Sequence, residues 1–185
     1  MIGWPDIYLQ HFSRFFGKPF DVETYRQDDG SALRLATFDP IKLGRIYASL
    51  ALSEHAATLK DLGEVILIAD DKGKDIPFLF VNALCFIVQK RIPLGSHFAI
   101  GGVEALKPDF AEYFGKHALY FTLLLHPTKP GLEKIERDDT GLVFQALFIS
   151  WAEQDYLKRN GWEDFEERLG AQGANLLRLQ RPSCV

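Results

Sequence analysis

One short apolar run constrains the fold of this chain more than any other feature. Residues 65–69 read Val-Ile-Leu-Ile-Ala, and the run lies between Gly63 and the acidic pair 70–71. A strand with one solvated face alternates apolar and polar residues, whereas a strand covered on both faces is apolar throughout. The run therefore predicts a strand in the middle of a sheet, with other structure packed on both of its faces.

The segment after this run predicts a helix that covers the sheet. Asp75 is suited to capping a helix N-terminus and Pro77 fits the first turn, so the predicted helix spans residues 75–90. Asn82 and Gln89 leave only a thin polar stripe, so we expect the helix to be almost fully surrounded by other structure. The side chains expected against the sheet are Phe80, Leu84 and Ile87.

The remaining patterns mix helices and strands without a regular alternation. They predict helices at 5–16, 109–114, 150–160 and 162–169, a hairpin through 20–24 and 33–35 with its turn at 28–31, and strands at 45–53, 119–125, 132–137 and 142–149. Residues 94–107 show no periodicity and are predicted to form a loop. Ser150 and Glu153 have the spacing of a capping box. The fold class predicted from this order is α+β, with a mixed, largely antiparallel sheet and flanking helices.

Length and composition indicate an ordinary globular domain. The chain has 185 residues, 47% of them hydrophobic and 25% charged, which is enough to bury a core without a metal or a disulfide. We therefore expect a single domain over residues 1–185, with a loose C-terminal tail from about residue 173.

The charge distribution argues against nucleic acid as a partner. The net charge is −4 and the sequence has no polybasic patch, whereas nucleic-acid-binding domains usually carry a basic face. The acids are concentrated near the C-terminus, where residues 150–167 contain six acids and two bases. Such a face can attract a basic partner, although a solvated helix face has the same composition.

The sequence also bears on the compartment. The N-terminus shows no secretory signal, and the longest apolar stretch, 76–88, is too short to span a membrane. The two cysteines, Cys85 and Cys184, show no paired spacing. We expect a cytoplasmic protein that does not contact a membrane.

Local motifs for a cofactor or for catalysis are missing from the sequence. Each of the three Gly-Lys pairs lacks the following hydroxyl of a phosphate-binding loop, and no Gly-x-Ser-x-Gly occurs. The five histidines contain no pair at metal-ligand spacing on a helix. The expectation is a protein with no catalytic residue, no metal and no cofactor.

Several short segments, taken in order, resemble a known family. They are residues 11–19 (HFSRFFGKP), 47–53 (YASLALS), 62–67 (LGEVIL), 97–102 (HFAIGG) and 144–149 (FQALFI), followed by Glu153, Tyr156 and Gly161. Together they resemble the suppressor of fused-like domain, found in bacterial proteins of about this length and in the amino-terminal part of an animal signalling protein. The family usually has Thr directly after the residue that matches His97 and Pro two residues further on, where this chain has Phe98 and Ile100.

The resemblance implies a protein-binding module and not an enzyme. The animal family member sequesters a transcription factor, and bacterial members include immunity proteins that neutralise partner toxins. We therefore expect a non-enzymatic, bacterial immunity-type protein that neutralises a toxin. Two alternatives stay open: a hydrolase whose site is assembled by tertiary contacts around His97, Glu104 and Asp109, and a regulatory subunit that sequesters a transcription factor.

The candidate partner-binding residues come from two segments. They are His97 in the predicted loop and Glu163, Asp164, Glu166 and Glu167 in the last predicted helix. If the partner is a basic toxin, the four acids would speed its encounter with this protein, because a local negative field steers association.

Overall fold

The protein is described here from a computed structural model that covers residues 3–26, 32–39, 44–124, 130–172, 176 and 178–185. Its helices are α1 (Trp4–Phe16), α2 (Ala56–Leu59), α3 (Asp75–Lys90), α4 (Val103–Leu106), α5 (Pro108–Phe114), α6 (Trp151–Asn160) and α7 (Trp162–Ala171). Its strands are β1 (Asp21–Arg26), β2 (Ala32–Phe38), β3 (Arg45–Ser49), β4 (Gly63–Ala69), β5 (Phe98–Gly101), β6 (Ala118–Leu123), β7 (Lys134–Glu136) and β8 (Thr140–Ile149).

The strands form one sheet in the order β1-β2-β3-β4-β8-β6-β5, and β7 pairs with β8 beside this path. β4 and β8 run parallel, whereas the other described pairs are antiparallel. The predicted α+β class with a mixed, largely antiparallel sheet is confirmed.

β4 occupies the middle of this sheet, as its apolar sequence predicts. It pairs with β3 on one side and with β8 on the other, and all seven of its residues are buried. The two faces of the strand contact different cores, since Leu67 packs in the core below α3 and Ile66 in the core below α1. Because side chains alternate along a strand, one short sequence supplies both cores.

α3 covers one face of the sheet and has the predicted bounds. Phe80, Leu84 and Ile87 are fully buried in the same core as Leu67. The expectation that α3 is almost surrounded is wrong, because Phe78 and Phe86 are 42% and 40% exposed. The wide apolar surface of this helix thus extends beyond the part that the sheet covers.

The N-terminus of α3 also differs from the prediction. Asp75 is the first helical residue and not the cap; the N-cap position is occupied by Lys74, whose side chain makes no capping hydrogen bond. The carboxylate of Asp75 instead pairs with Lys107, at 2.7 Å.

The opposite face of the sheet carries α1 at one end and α6 and α7 at the other. Tyr8 and Phe12 of α1 are fully buried there, and Phe165 of α7 packs with Leu147 of β8. α1 ends as predicted at Gly17, whose φ of +87° lies in the left-handed region that favours glycine.

Three further segments differ from their predictions. The strand predicted at 45–53 ends at Ser49 and is followed by a 3-10 turn, Leu52–His55. Residues 94–107 are not a loop, because they contain a 3-10 turn (Leu94–Ser96), β5 and α4. The predicted hairpin is present as β1 and β2, but its turn at 28–31 lies outside the described residues.

The end of the chain is packed against the domain. Arg181 is only 4% exposed, and its guanidinium pairs with the fully buried carboxylate of Glu153. Leu179 is also buried, and its backbone N–H donates to Asp70. Of the tail predicted from about residue 173, Leu179 and Arg181 thus contact the domain; residues 173–175 and 177 lie outside the described part of the chain.

Candidate functional site

His97 lies where α7 meets the edge of the sheet. It precedes β5 directly and has a φ of +49°, an uncommon backbone conformation for a residue with a side chain. Its imidazole stacks on the indole of Trp162, with ring centroids 4.0 Å apart and planes inclined by 19°. The side chain is therefore held between the sheet edge and the start of α7.

Glu166 gathers three donors around one oxygen. Its Oε1 accepts from Nδ1 of His97 at 3.0 Å, from the hydroxyl of Tyr120 at 2.6 Å and from the hydroxyl of Thr122. A carboxylate only accepts, so the hydrogen on His97 lies on Nδ1. We call His97, Tyr120, Thr122, Trp162 and Glu166 the Glu166 cluster.

The surroundings of the cluster favour a fixed arrangement. Tyr120 and Thr122 are fully buried neighbours on one face of β6. Burial, followed by the hydrogen bond to Glu166, raises the pKa of Tyr120, so its hydroxyl stays protonated and donates at neutral pH. With three donors on Oε1 and the His97 side chain only 12% exposed, the cluster joins α7 to β5 and β6.

The five predicted partner-binding residues are divided by this geometry. Glu163, Asp164 and Glu167 are exposed on the outer face of α7, and none has an ion partner among the described residues. Glu166 points instead into the cluster and contacts His97. The structure thus joins two of the five residues and leaves the other three on the surface.

Sequence reasoning missed Tyr120, Thr122 and Trp162. The members of the cluster come from three segments, and no local motif connects those segments. The sequence offered only their spacing as a signal. Residues 120 and 122 lie on the same face of a strand, and residues 162 and 166 lie on the same face of a helix.

The residues of the hydrolase alternative are not brought together. Glu104 faces His117, with 3.5 Å between Oε2 and Nδ1, and Asp109 is exposed at the start of α5. No described contact joins His97 to Glu104 or to Asp109. In the described residues, no group of three or more His, Cys, Asp or Glu side chains is placed to hold a metal ion.

Cys184 is poorly suited to act as a nucleophile. Burial, with the nearby carboxylate of Glu153, raises the pKa of its thiol to about 11. The reactive thiolate is therefore scarce at neutral pH.

A groove follows the outer edge of β5. It has a volume of about 560 Å³ and lies between β5 and α3. Its wall includes the partly exposed side chains of Phe98 and Ile100 from the strand and Phe86 from the helix, with Leu106 of α4 at one end. β5 pairs with β6 on one side, and no described strand pairs with its other side. An open strand edge and an apolar groove therefore lie next to each other.

No helix in the described part of the chain is long and apolar enough to cross a membrane.

Comparison with known proteins adds one solved structure. No family model and no curated protein matches the sequence. The fold matches the crystal structure of a Neisseria gonorrhoeae protein proposed to be a suppressor of fused (SUFU) homologue, with a TM-score of 0.75 over 98% of this chain and 97% of that chain. The sequences are 15% identical, so the likeness concerns the fold.

The architecture is that of an α+β domain whose mixed sheet carries helices on both faces. Within that class, the chain has the suppressor of fused-like fold. The resemblance seen in the sequence is confirmed at this level.

Proposed function

We propose that this domain binds a protein partner by adding an extended segment of that partner to the open edge of β5. The observation that carries the proposal is the groove of about 560 Å³ that runs beside this edge. A strand edge offers backbone donors and acceptors, and pockets beside it select every second side chain of the added segment. The site therefore fits an extended segment with alternating apolar residues.

The surroundings of the edge favour a basic segment. His97 directly precedes β5 and contacts Glu166 of α7. The exposed acids of α7 therefore lie near one end of the β5 edge. Glu163, Asp164 and Glu167 there have no described cation to neutralise them. A partner with lysines or arginines beside its apolar residues would complement both the groove and this charge.

Within this proposal, the biological role is that of an immunity-type protein that neutralises a basic toxin. Two features support it: the suppressor of fused-like fold, which the resemblance associates with protein-binding modules, and a binding edge flanked by acids. Sequestration of a transcription factor through the same edge is the second candidate.

The first test uses the purified chain and the product of the neighbouring gene. Ile100→Lys and Phe86→Ser should each weaken the complex by about thirtyfold or more, since central apolar anchors dominate binding energy. Phe20→Ser is the matched control, because Phe20 is an exposed phenylalanine beside β1, at the opposite end of the sheet. Calorimetry measures all three affinities.

The outcomes separate the candidates. A toxic neighbouring product that this chain neutralises in cells supports the immunity role, whereas a DNA-binding neighbour that it sequesters supports the second candidate. If the complex forms but both groove variants bind as tightly as the parent, the β5 edge is not the binding site.

A further inference from the structure

β1 forms the edge of the sheet that lies opposite to β5. It pairs with β2 on one side, and no described strand pairs with its other side. All of its residues except Tyr25 are exposed. An open edge presents a row of unpaired backbone donors and acceptors, with which another strand can pair. β1 has six residues and β5 has four, so β1 offers the longer of these two edges.

The hydrogen bonds of β2 show which backbone groups of β1 face the open edge. The carbonyl of Arg34 in β2 accepts from the N–H of Leu50 at 2.9 Å, so the backbone of Arg34 faces β3. Backbone groups in an antiparallel ladder alternate between the two sides, so those of Leu35 face β1, where Leu35 pairs with Glu23. The residues of β1 whose backbone groups point to the open edge are therefore Val22, Thr24 and Arg26.

The N–H of Val22 agrees with this orientation. It donates to the side-chain carboxylate of Asp21, at 2.8 Å. A backbone N–H that faces the neighbouring strand donates to a carbonyl of that strand instead. When a further strand pairs with β1, a backbone carbonyl of that strand takes the place of this carboxylate.

The sequence of β1 restricts how it can pair with a second copy of itself. Two-fold symmetry places one residue of the strand opposite its own counterpart. If that residue is Val22, Asp21 faces Glu23 of the second copy, and if it is Glu23, the two Glu23 side chains face each other. Like charges that lie directly opposite destabilise a strand pair. A register centred on Tyr25 pairs only residues 24–26, so it forms a short contact.

The register centred on Thr24 has neither fault. It pairs residues 22–26, with Val22 opposite Arg26 and Glu23 opposite Tyr25, so no like charges face each other. Glu23 already accepts from the hydroxyl of Tyr25 within one chain, and the second copy adds another tyrosine beside the same carboxylate. The three residues that point to the edge supply six backbone hydrogen bonds between the two strands.

We propose that two copies of this chain associate through their β1 edges, with the strands antiparallel and Thr24 on the two-fold axis. The two sheets then join into one, and β5 lies at both of its outer ends. The inference does not depend on the proposed partner-binding edge, because that edge lies at the other end of the sheet.

The test is sedimentation equilibrium of the full chain and of two charge variants. Thr24→Asp and Thr24→Lys each place two like charges opposite each other on the axis, so each should raise the dissociation constant of the dimer about fivefold or more. An equimolar mixture of the two variants should regain the affinity of the parent, because aspartate then faces lysine. Thr24 is exposed, so both variants should keep the urea midpoint of the parent at low protein concentration.

A backbone variant tests the hydrogen bonds themselves. Thr24→Pro removes the central N–H donor of each copy and should weaken the dimer about tenfold or more. The folded monomer tolerates this change, because proline is accepted in an edge strand where its nitrogen faces solvent.

The matched control is Ile100→Lys, which alters the other open edge and should leave the dimer unchanged. The proposal is overturned if the parent stays monomeric up to millimolar concentration. It is also overturned if the mixture of charge variants associates no better than each variant alone, or if Ile100→Lys weakens the dimer as much as the Thr24 variants do.

Discussion

Glu153 combines two structural roles in one buried carboxylate. Its Oε2 accepts from the backbone of Ser150 at 2.7 Å, which completes the predicted capping box of α6. The same carboxylate pairs with Arg181, which also donates to the carbonyl of Phe148 in β8. Burial acts to raise the pKa of Glu153, but Arg181 and the backbone donors outweigh it, so the pKa lies below its usual value.

Replacing Glu153 by glutamine should destabilise the domain strongly. The change leaves the guanidinium of Arg181 buried without a counter-charge, which costs about 3–5 kcal/mol. Urea unfolding at pH 7 measures the loss, and Glu163→Gln, an exposed acid on α7, should leave the midpoint unchanged.

The difference in unfolding free energy between the parent and Glu153→Gln should depend on pH, and the direction follows from the lowered pKa of Glu153. The pKa of Glu153 is lower in the folded state than in the unfolded state, where it is about 4.3. The ionised carboxylate therefore contributes its full stabilisation above about pH 4.3, and this stabilisation is lost as the pH falls through the folded-state pKa. The gap in stability between the parent and Glu153→Gln should therefore narrow below about pH 4.3. An equal gap at pH 7 and at pH 3 would show that the charge of the pair contributes nothing.

At the scale of elements, α7 has two distinct faces. Phe165 and Leu169 are buried on its inner face, and Glu166 enters the Glu166 cluster. The outer face carries the three exposed acids, Glu163, Asp164 and Glu167. A steering role, if α7 has one, therefore belongs to these three residues, since changing Glu166 would also disrupt contacts to β6.

The triple variant Glu163→Gln, Asp164→Asn, Glu167→Gln should lower the rate of association with the basic partner by about tenfold at low salt. Dissociation should change less, and the association rate should depend less on salt because the local field is weaker. Stopped-flow mixing measures both rates.

The matched control for this variant removes three exposed acids elsewhere, at Glu54, Asp138 and Asp139. If both triple variants associate equally fast, the position of the acids on α7 has no special effect.

The elements differ in how far sequence could predict them. β4, α3 and the start of α6 were predictable because each depends on a local pattern: an apolar run, a helical stripe and a capping box. β5 was not, because it has four residues and its pairing with β6 comes from tertiary structure. The Glu166 cluster and the Glu153–Arg181 pair join residues that are far apart in sequence. Such contacts leave no local pattern in the sequence.

In the described part of the chain, the sheet separates one hydrophobic core on one face from two cores on the other face. α3 and the short helices around it cover the first core, α1 covers the second, and α7 covers the third. The sheet contributes side chains to all three, so each depends on the correct register of the strands. The Neisseria gonorrhoeae structure matches this fold at 15% sequence identity, so the fold persists where most individual residues differ.

Leu67→Ala in β4 and Leu84→Ala in α3 should each lower the free energy of unfolding by about 2–5 kcal/mol. Both leucines are almost fully buried in the same core, so each change removes apolar contacts and leaves a cavity. Urea denaturation is the measurement, with Leu123→Ala as control because that side chain is 42% exposed. Unchanged midpoints for both core variants would contradict the assignment of this core.

The position of Arg181 has a consequence for how the protein is made. During synthesis the ribosome releases residues in order, and domains begin to fold before the chain is finished. Glu153 can complete its ion pair only after Arg181 has left the ribosome, although most of the sheet is available earlier. Nascent chains that lack this last segment should remain sensitive to proteases, and the domain should become resistant only when residue 181 has emerged.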